Sequence, residues 1–151
     1  MERIKMGAWV IEVDMDKTLD FYTDYHLITE DCTCDYCANY VLACTDFPST
    51  YKGVFDSLGI DPRKEGEISH YMEKDNGTHL YGVFYHIVGR IIKGPQLWVP
   101  TQKGSEVSSP HFATYHGIEL GFSEDLMLLP EGFPEPAIQF EMEVTIPWLL
   151  S

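Results

Sequence analysis

The stretch Cys32-Thr-Cys34-Asp-Tyr-Cys37 is the part of this chain whose residue types and spacing best suit chemistry, and Cys44 follows seven residues after Cys37. Zinc is borderline-soft and takes four nitrogen or sulfur ligands in a tetrahedron, which thiolates satisfy well. A Cys-x-x-Cys pair lets two sulfurs reach one ion across a tight turn. Cys34 and Cys37 have that spacing, and Cys32 can add a third ligand. No second Cys-x-x-Cys and no spaced His pair completes the set. A competing reading makes Cys37, Val41 and Cys44 one buried face of a helix, because they recur at helical spacing and free cysteine packs as a small apolar group. A thioredoxin-like dithiol is a third reading, and the sequence lacks the βαβ context it needs.

Six histidines accompany the cysteines: His26, His70, His79, His86, His111 and His116. His86 stands out because Leu80–Ile92 is apolar on both faces, and a polar ring buried there needs a partner. With a hairpin turning on Asn76-Gly77, Glu67 falls opposite His86 and His70 opposite Val83. A carboxylate beside a histidine fixes its tautomer and raises its basicity, which suits a catalytic base or a support for a metal ligand. The same pair also serves as an ordinary buried polar contact. The candidate catalytic residues are therefore His86 and Glu67. The candidate zinc ligands are Cys34, Cys37, Cys32 and His86. No nucleophile elbow, phosphate-cradling glycine loop or His-Glu-x-x-His helix is present.

The elements that must position these residues divide the chain in two. A strand is expected over Ala8–Met15, then a short helix through Thr18, Leu19, Phe21 and Tyr22 with Asp16 as its cap. Asp35 is the expected cap of a second helix carrying Cys37, Val41 and Cys44. A third runs from Tyr51 to Leu58 and stops at Gly59. Beyond Asp61-Pro62 the pattern turns extended. Glu67–Glu73 and Leu80–Ile92 flank Asp75-Asn76-Gly77, a strong hairpin signal. Residues 93–110 read as a loop punctuated by Gly94, Pro95, Pro100 and Gly104, with a short strand at Leu97–Val99. Phe112–Gly121 reads as one strand. In the last strand Phe140, Met142, Val144 and Ile146 alternate with Gln139, Glu141, Glu143 and Thr145. The expectation is an α+β fold spanning residues 1–151 as a single domain, with two or three N-terminal helices packed on an antiparallel β-sheet of about four to six strands.

Several of these motifs recur together in a known setting. The order Cys34-x-x-Cys37-x-Asn39-Tyr40, Phe47-Pro48, Leu58-Gly59-Ile60-Asp61-Pro62 and Tyr81-Gly82-x-Phe84-Tyr85-His86, with the closing Pro147-Trp148, resembles a family of small uncharacterised bacterial proteins. The resemblance implies a shared site to be sought at Cys34, Cys37, Asn39 and His86, and it brings no activity with it. Cys32 and Cys44 look peculiar to this chain.

Charge narrows the partners. Of 151 residues, 24 are acidic and 10 basic, for a net charge of −14, and no Lys or Arg follows Lys103. Such a surface repels phosphate backbones and anionic lipid, so nucleic-acid and membrane partners are disfavoured and a basic protein is favoured. The N-terminus lacks the apolar run of a signal peptide. Cysteines confined to one short stretch do not form a disulfide framework, which implies reduced thiols and a cytoplasmic location. Three functions stay open. The first is a non-enzymatic binding protein with an acidic face for a basic partner, like small immunity-type inhibitors. The second is a zinc-binding domain built on the clustered cysteines. The third is an enzyme built around His86. The oligomeric state is not encoded in these patterns.

Overall fold

The computed structural model describes residues 1–64, 66–102 and 107–151. Gly104, counted above among the loop punctuators, lies outside them. Each helix of the front half has a local reason. Helix α1 (Met15–Asp24) starts at Asp14, not at Asp16, because the Asp14 carboxylate accepts from the Lys17 N–H at 3.1 Å. Helix α2 (Ile28–Asp31) is a single turn that the apolar spacing does not announce. The Glu30 carboxylate accepts from the Leu27 N–H at 2.6 Å and closes that turn. Helix α3 (Asp35–Cys44) is capped by Cys34, so Asp35 becomes its first residue, where an acid suits the positive end of the helix. Helix α4 (Ser49–Leu58) begins after Pro48 and stops at Gly59, whose φ of 78° closes the C-terminus. Among the described residues four helices stand where two or three were expected.

All strand pairs among the described residues are antiparallel. Strands β1 (Glu2–Met6) and β2 (Trp9–Val13) form a hairpin where a single strand was expected. β3 (Glu67–Glu73) and β2 lie along one edge of the long β4 (Thr78–Lys93), and β9 (Ala137–Pro147) lies along the other, in register from Thr78 against Pro147 to Val88 against Ala137. β5 (Trp98–Pro100) and β6 (Ser108–Pro110) make a separate two-stranded pair. The segment expected as one strand breaks into β7 (Ala113–Tyr115) and β8 (Ile118–Ser123), because His116 and Gly117 both adopt the left-handed φ that a tight hairpin turn requires. The sheet order is β1-β2-β4-β9-β8-β7 with β3 on β4, seven strands among the described residues. The mixed α+β class with an antiparallel sheet is thus observed, with more strands than expected.

One face of the sheet takes α3 and α4. Tyr81, Val83, Tyr85 and Ile87 of β4 and Phe140, Met142, Val144 and Ile146 of β9 are buried in one apolar cluster with Tyr40, Phe55 and Leu58. The buried hydroxyls in this core are satisfied: Tyr40 and Tyr85 share a 2.5 Å hydrogen bond, and Tyr85 donates to the Pro62 carbonyl at 2.7 Å. The alternate residues of β4, including Gly82, Phe84 and His86, face the opposite side. That face meets Trp98 and the segment near Met127 and Phe133. Cover on both faces explains why β4 is largely apolar on both faces through Val88, beyond which Arg90 and Lys93 are exposed. No helix among the described residues is long and apolar enough to cross a membrane.

Candidate metal centre

Cys32, Cys34 and Cys37 come together where α2 hands over to α3. Their three sulfurs lie within 4.8 Å of one another, and the Cys32 and Cys34 sulfurs are 3.1 Å apart. α2 ends at Cys32, whose N–H donates to the Ile28 carbonyl at 3.0 Å. The next turn of chain brings Cys34 to the start of α3, and one helical turn later Cys37 points inward. Cys34 is exposed, Cys32 half-buried and Cys37 buried. The group therefore reaches from solvent to the edge of the core. Cys44 lies outside this group, buried against the hydroxyl of Tyr40, which matches the packing role weighed for it.

The three thiols are not equivalent. Backbone N–H groups at the start of α3, Cys37 first, together with the Cys32 thiol, hold the Cys34 thiol below its ordinary value. Burial, then the neighbouring Cys32 and Cys34, push the Cys37 thiol far up. An exposed sulfur inclined to ionise thus sits beside a buried one that resists.

The first turn of α3 is pinned from three sides. Tyr81 donates to the Tyr36 carbonyl at 2.9 Å, and burial first, with the nearby Cys37 and Cys34 adding to it, holds its hydroxyl above the ordinary value. Asn39, fully buried, donates to the Pro147 carbonyl at 3.1 Å and accepts from the Leu149 N–H at 2.6 Å, which ties the C-terminal segment to α3. Asn39 is thus a clamp under the cysteines. Its place in the motif has a structural cause. Trp148, carried on the clamped segment, packs against Tyr36 and His79.

A histidine pair that the sequence reading did not single out lies alongside. His70 and His79 share a 2.7 Å hydrogen bond between ring nitrogens, and His79 lies 3.5 Å from the Glu73 carboxylate. Burial, then the neighbouring His79, hold His70 below its ordinary value. The pair forms because β3 carries a bulge between His70 and Met72, so His70 pairs with Tyr81. Position alone gave no signal for it.

His86 is not part of this site. It points to the face of the sheet away from the cysteine helix, fully buried, with its ring nitrogen Nε2 3.1 Å from the Gln139 side-chain oxygen Oε1 and its ring against Phe133. The expected meeting of His86 with Cys34 and Cys37 does not occur. Nor does Glu67 face His86: Glu67 is exposed and pairs with Phe84, and His70 does not face Val83. The turn is a three-residue loop with Gly77 at φ 82°, which moves the register by one residue, and the bulge moves it by one more. His86 instead starts a buried chain in which the Gln139 side-chain amide and the Trp98 indole both donate to Glu141 Oε2, at 3.0 and 2.8 Å.

Comparison of the chain with protein-family models, curated proteins and solved structures returns no match. The resemblance drawn from the motifs accordingly rests on those motifs alone.

Proposed function

We propose that this chain binds a thiophilic metal ion, zinc foremost, through Cys32, Cys34 and Cys37, with the fourth coordination position open to water or an outside ligand. The observation that carries this reading is the gathering of three sulfurs within 4.8 Å by two consecutive helices. Sulfurs at about 2.3 Å from a tetrahedral zinc stand about 3.8 Å apart, a spacing this group reaches with small side-chain rotations. Cys34 is the sulfur that meets the ion first, being exposed and inclined to ionise. Cys37 gives up its proton only as the ion arrives, so loading releases protons and strengthens as pH rises. A site with an exposed sulfur and an open position suits capture and release of an ion better than permanent stapling of the fold.

A dithiol role is the second reading, favoured by the contrast between exposed Cys34 and buried Cys37. The net charge of −14 supports a basic protein as the partner of the acidic surface, which salt-sensitive capture by a basic protein column would test. The metal reading is tested by elemental analysis with thiol counting on protein purified anaerobically without chelator. One zinc per chain, lost in Cys34→Ser and kept in Cys44→Ser, supports it. Zinc-free protein with a Cys34–Cys37 disulfide supports the dithiol reading instead.

A further inference from the structure

The opposite face of the sheet holds a cavity of about 190 Å³ that the cysteine site does not use. Its walls are aromatic, from Tyr71, Phe84, Trp98 and Phe112, and Glu141 lines it as well. These residues come from separate segments. The cavity exists because of a glycine: any side-chain carbon at Gly82 would collide with the Tyr71 hydroxyl, so the bare backbone there lets the Tyr71 ring lie across the strand. Trp98 is fixed by the bond from its indole N–H to Glu141 Oε2, so what it can offer a ligand is its ring face.

Glu141 is only 6% exposed. Among the described residues, the hydrogen bonds to its carboxylate end on Oε2, from Trp98 and Gln139, which leaves Oε1 for a ligand. Burial raises its carboxyl above the ordinary value, against the opposing pull of the hydrogen bonds from Trp98 and Gln139. Glu143 adds negative charge near Tyr71. A half-enclosed cavity with electron-rich ring faces and a buried carboxylate repels anions. It gains most from a cation whose positive charge is spread over apolar groups, which the rings and the carboxylate can both meet.

We propose that this cavity binds a small alkylated ammonium group, its charge against Glu141 and its methyl groups against the rings of Tyr71, Phe84, Trp98 and Phe112. The ring faces attract the cation through their quadrupoles, and the carboxylate supplies a counter-charge where water is scarce. The site is independent of the cysteines, so its failure and that of the metal reading are separable.

The test is calorimetric titration of the full chain with choline and, in parallel, with 3,3-dimethylbutan-1-ol, the neutral compound of the same shape. Choline binds saturably, and the neutral compound binds about tenfold or more weakly, since only the cation gains from rings and carboxylate. Glu141→Gln, which keeps the shape, weakens choline by a similar factor and leaves the neutral compound unchanged. Cys34→Ser changes neither. A trimethyllysine peptide run beside choline tells a modified side chain from a free metabolite by which of the two binds more tightly. Equal binding of choline and its neutral counterpart, no saturable choline binding in the millimolar range, or full choline affinity in Glu141→Gln would overturn the proposal.

Discussion

The ring of Tyr36 lies 4.1 Å from the ring of His70 and within 18° of parallel to it. Tyr36 stands between Cys34 and Cys37, so this stack fastens the cysteine turn to strand β3. Half of the Tyr36 side chain is exposed, and its removal leaves the backbone bond from Tyr81 in place. Tyr36→Ala therefore loosens the site without dismantling it. An aromatic stack contributes about 0.5–1.5 kcal/mol beyond its buried area, so zinc affinity should fall by about two- to tenfold. Competition with a chromophoric chelator measures this, and unchanged affinity would show that the stack does not organise the cysteines.

The asymmetry of the thiols gives a labelling order. In metal-free protein, Cys34 should react with iodoacetamide first, with a pH midpoint below the ordinary thiol value of 9.0. Cys37 and Cys44 are buried with thiols pushed well up, so they should react only on unfolding. Because the folded value of Cys34 is lowered, its contribution to stability is present above pH 9 and is lost as pH falls through the lowered value. Peptide mapping of timed alkylation reads the order directly; Cys37 reacting ahead of Cys34 would contradict it.

Glu141 shifts the other way, raised from 4.5 chiefly by burial. A carboxyl raised on folding stabilises the protein below its unfolded value and loses that contribution as pH rises through its folded value. Glu141→Gln has no such loss. Its urea midpoint, relative to the wild type, should therefore climb as pH rises above 4.5. A difference that stays flat between pH 4 and pH 8 would mean that burial does not oppose the charge.

Asn39 bears on stability. Asn39→Ala leaves the Leu149 N–H and the Pro147 carbonyl without their side-chain partner beneath a buried clamp. The cost should be about 2–4 kcal/mol, from two lost bonds and groups left unsatisfied. Trp148 emission should shift as the C-terminal segment comes away from Tyr36 and His79. A loss within about 0.5 kcal/mol, typical of surface changes, would show that the clamp carries no load.

What the sequence revealed was mostly local. The cysteine grouping follows from spacing along a turn and a helix start, and α4 was legible from Gly59. The alternation over Phe140–Ile146 marked β9 because one face is packed and the other carries Gln139, Glu141 and Glu143. Register was not legible. A three-residue turn and a bulge displaced β3 along β4, which hid the His70–His79 pair and removed the expected one between Glu67 and His86. β1 escaped because Glu2, Arg3 and Lys5 are exposed on an edge strand, which leaves only Ile4 and Met6 to mark its apolar face. The aromatic cavity was beyond reach, since Tyr71, Trp98, Phe112 and Glu141 meet only after the sheet has formed.

The central claim is that Cys32, Cys34 and Cys37 together hold a metal ion. Zinc-edge X-ray absorption on protein loaded anaerobically with one equivalent of zinc tests it most directly. The account predicts three sulfur neighbours at about 2.3 Å and one lighter nitrogen or oxygen neighbour at about 2.0–2.2 Å. A shell made only of nitrogen and oxygen, or a spectrum unchanged in Cys34→Ser, would contradict it.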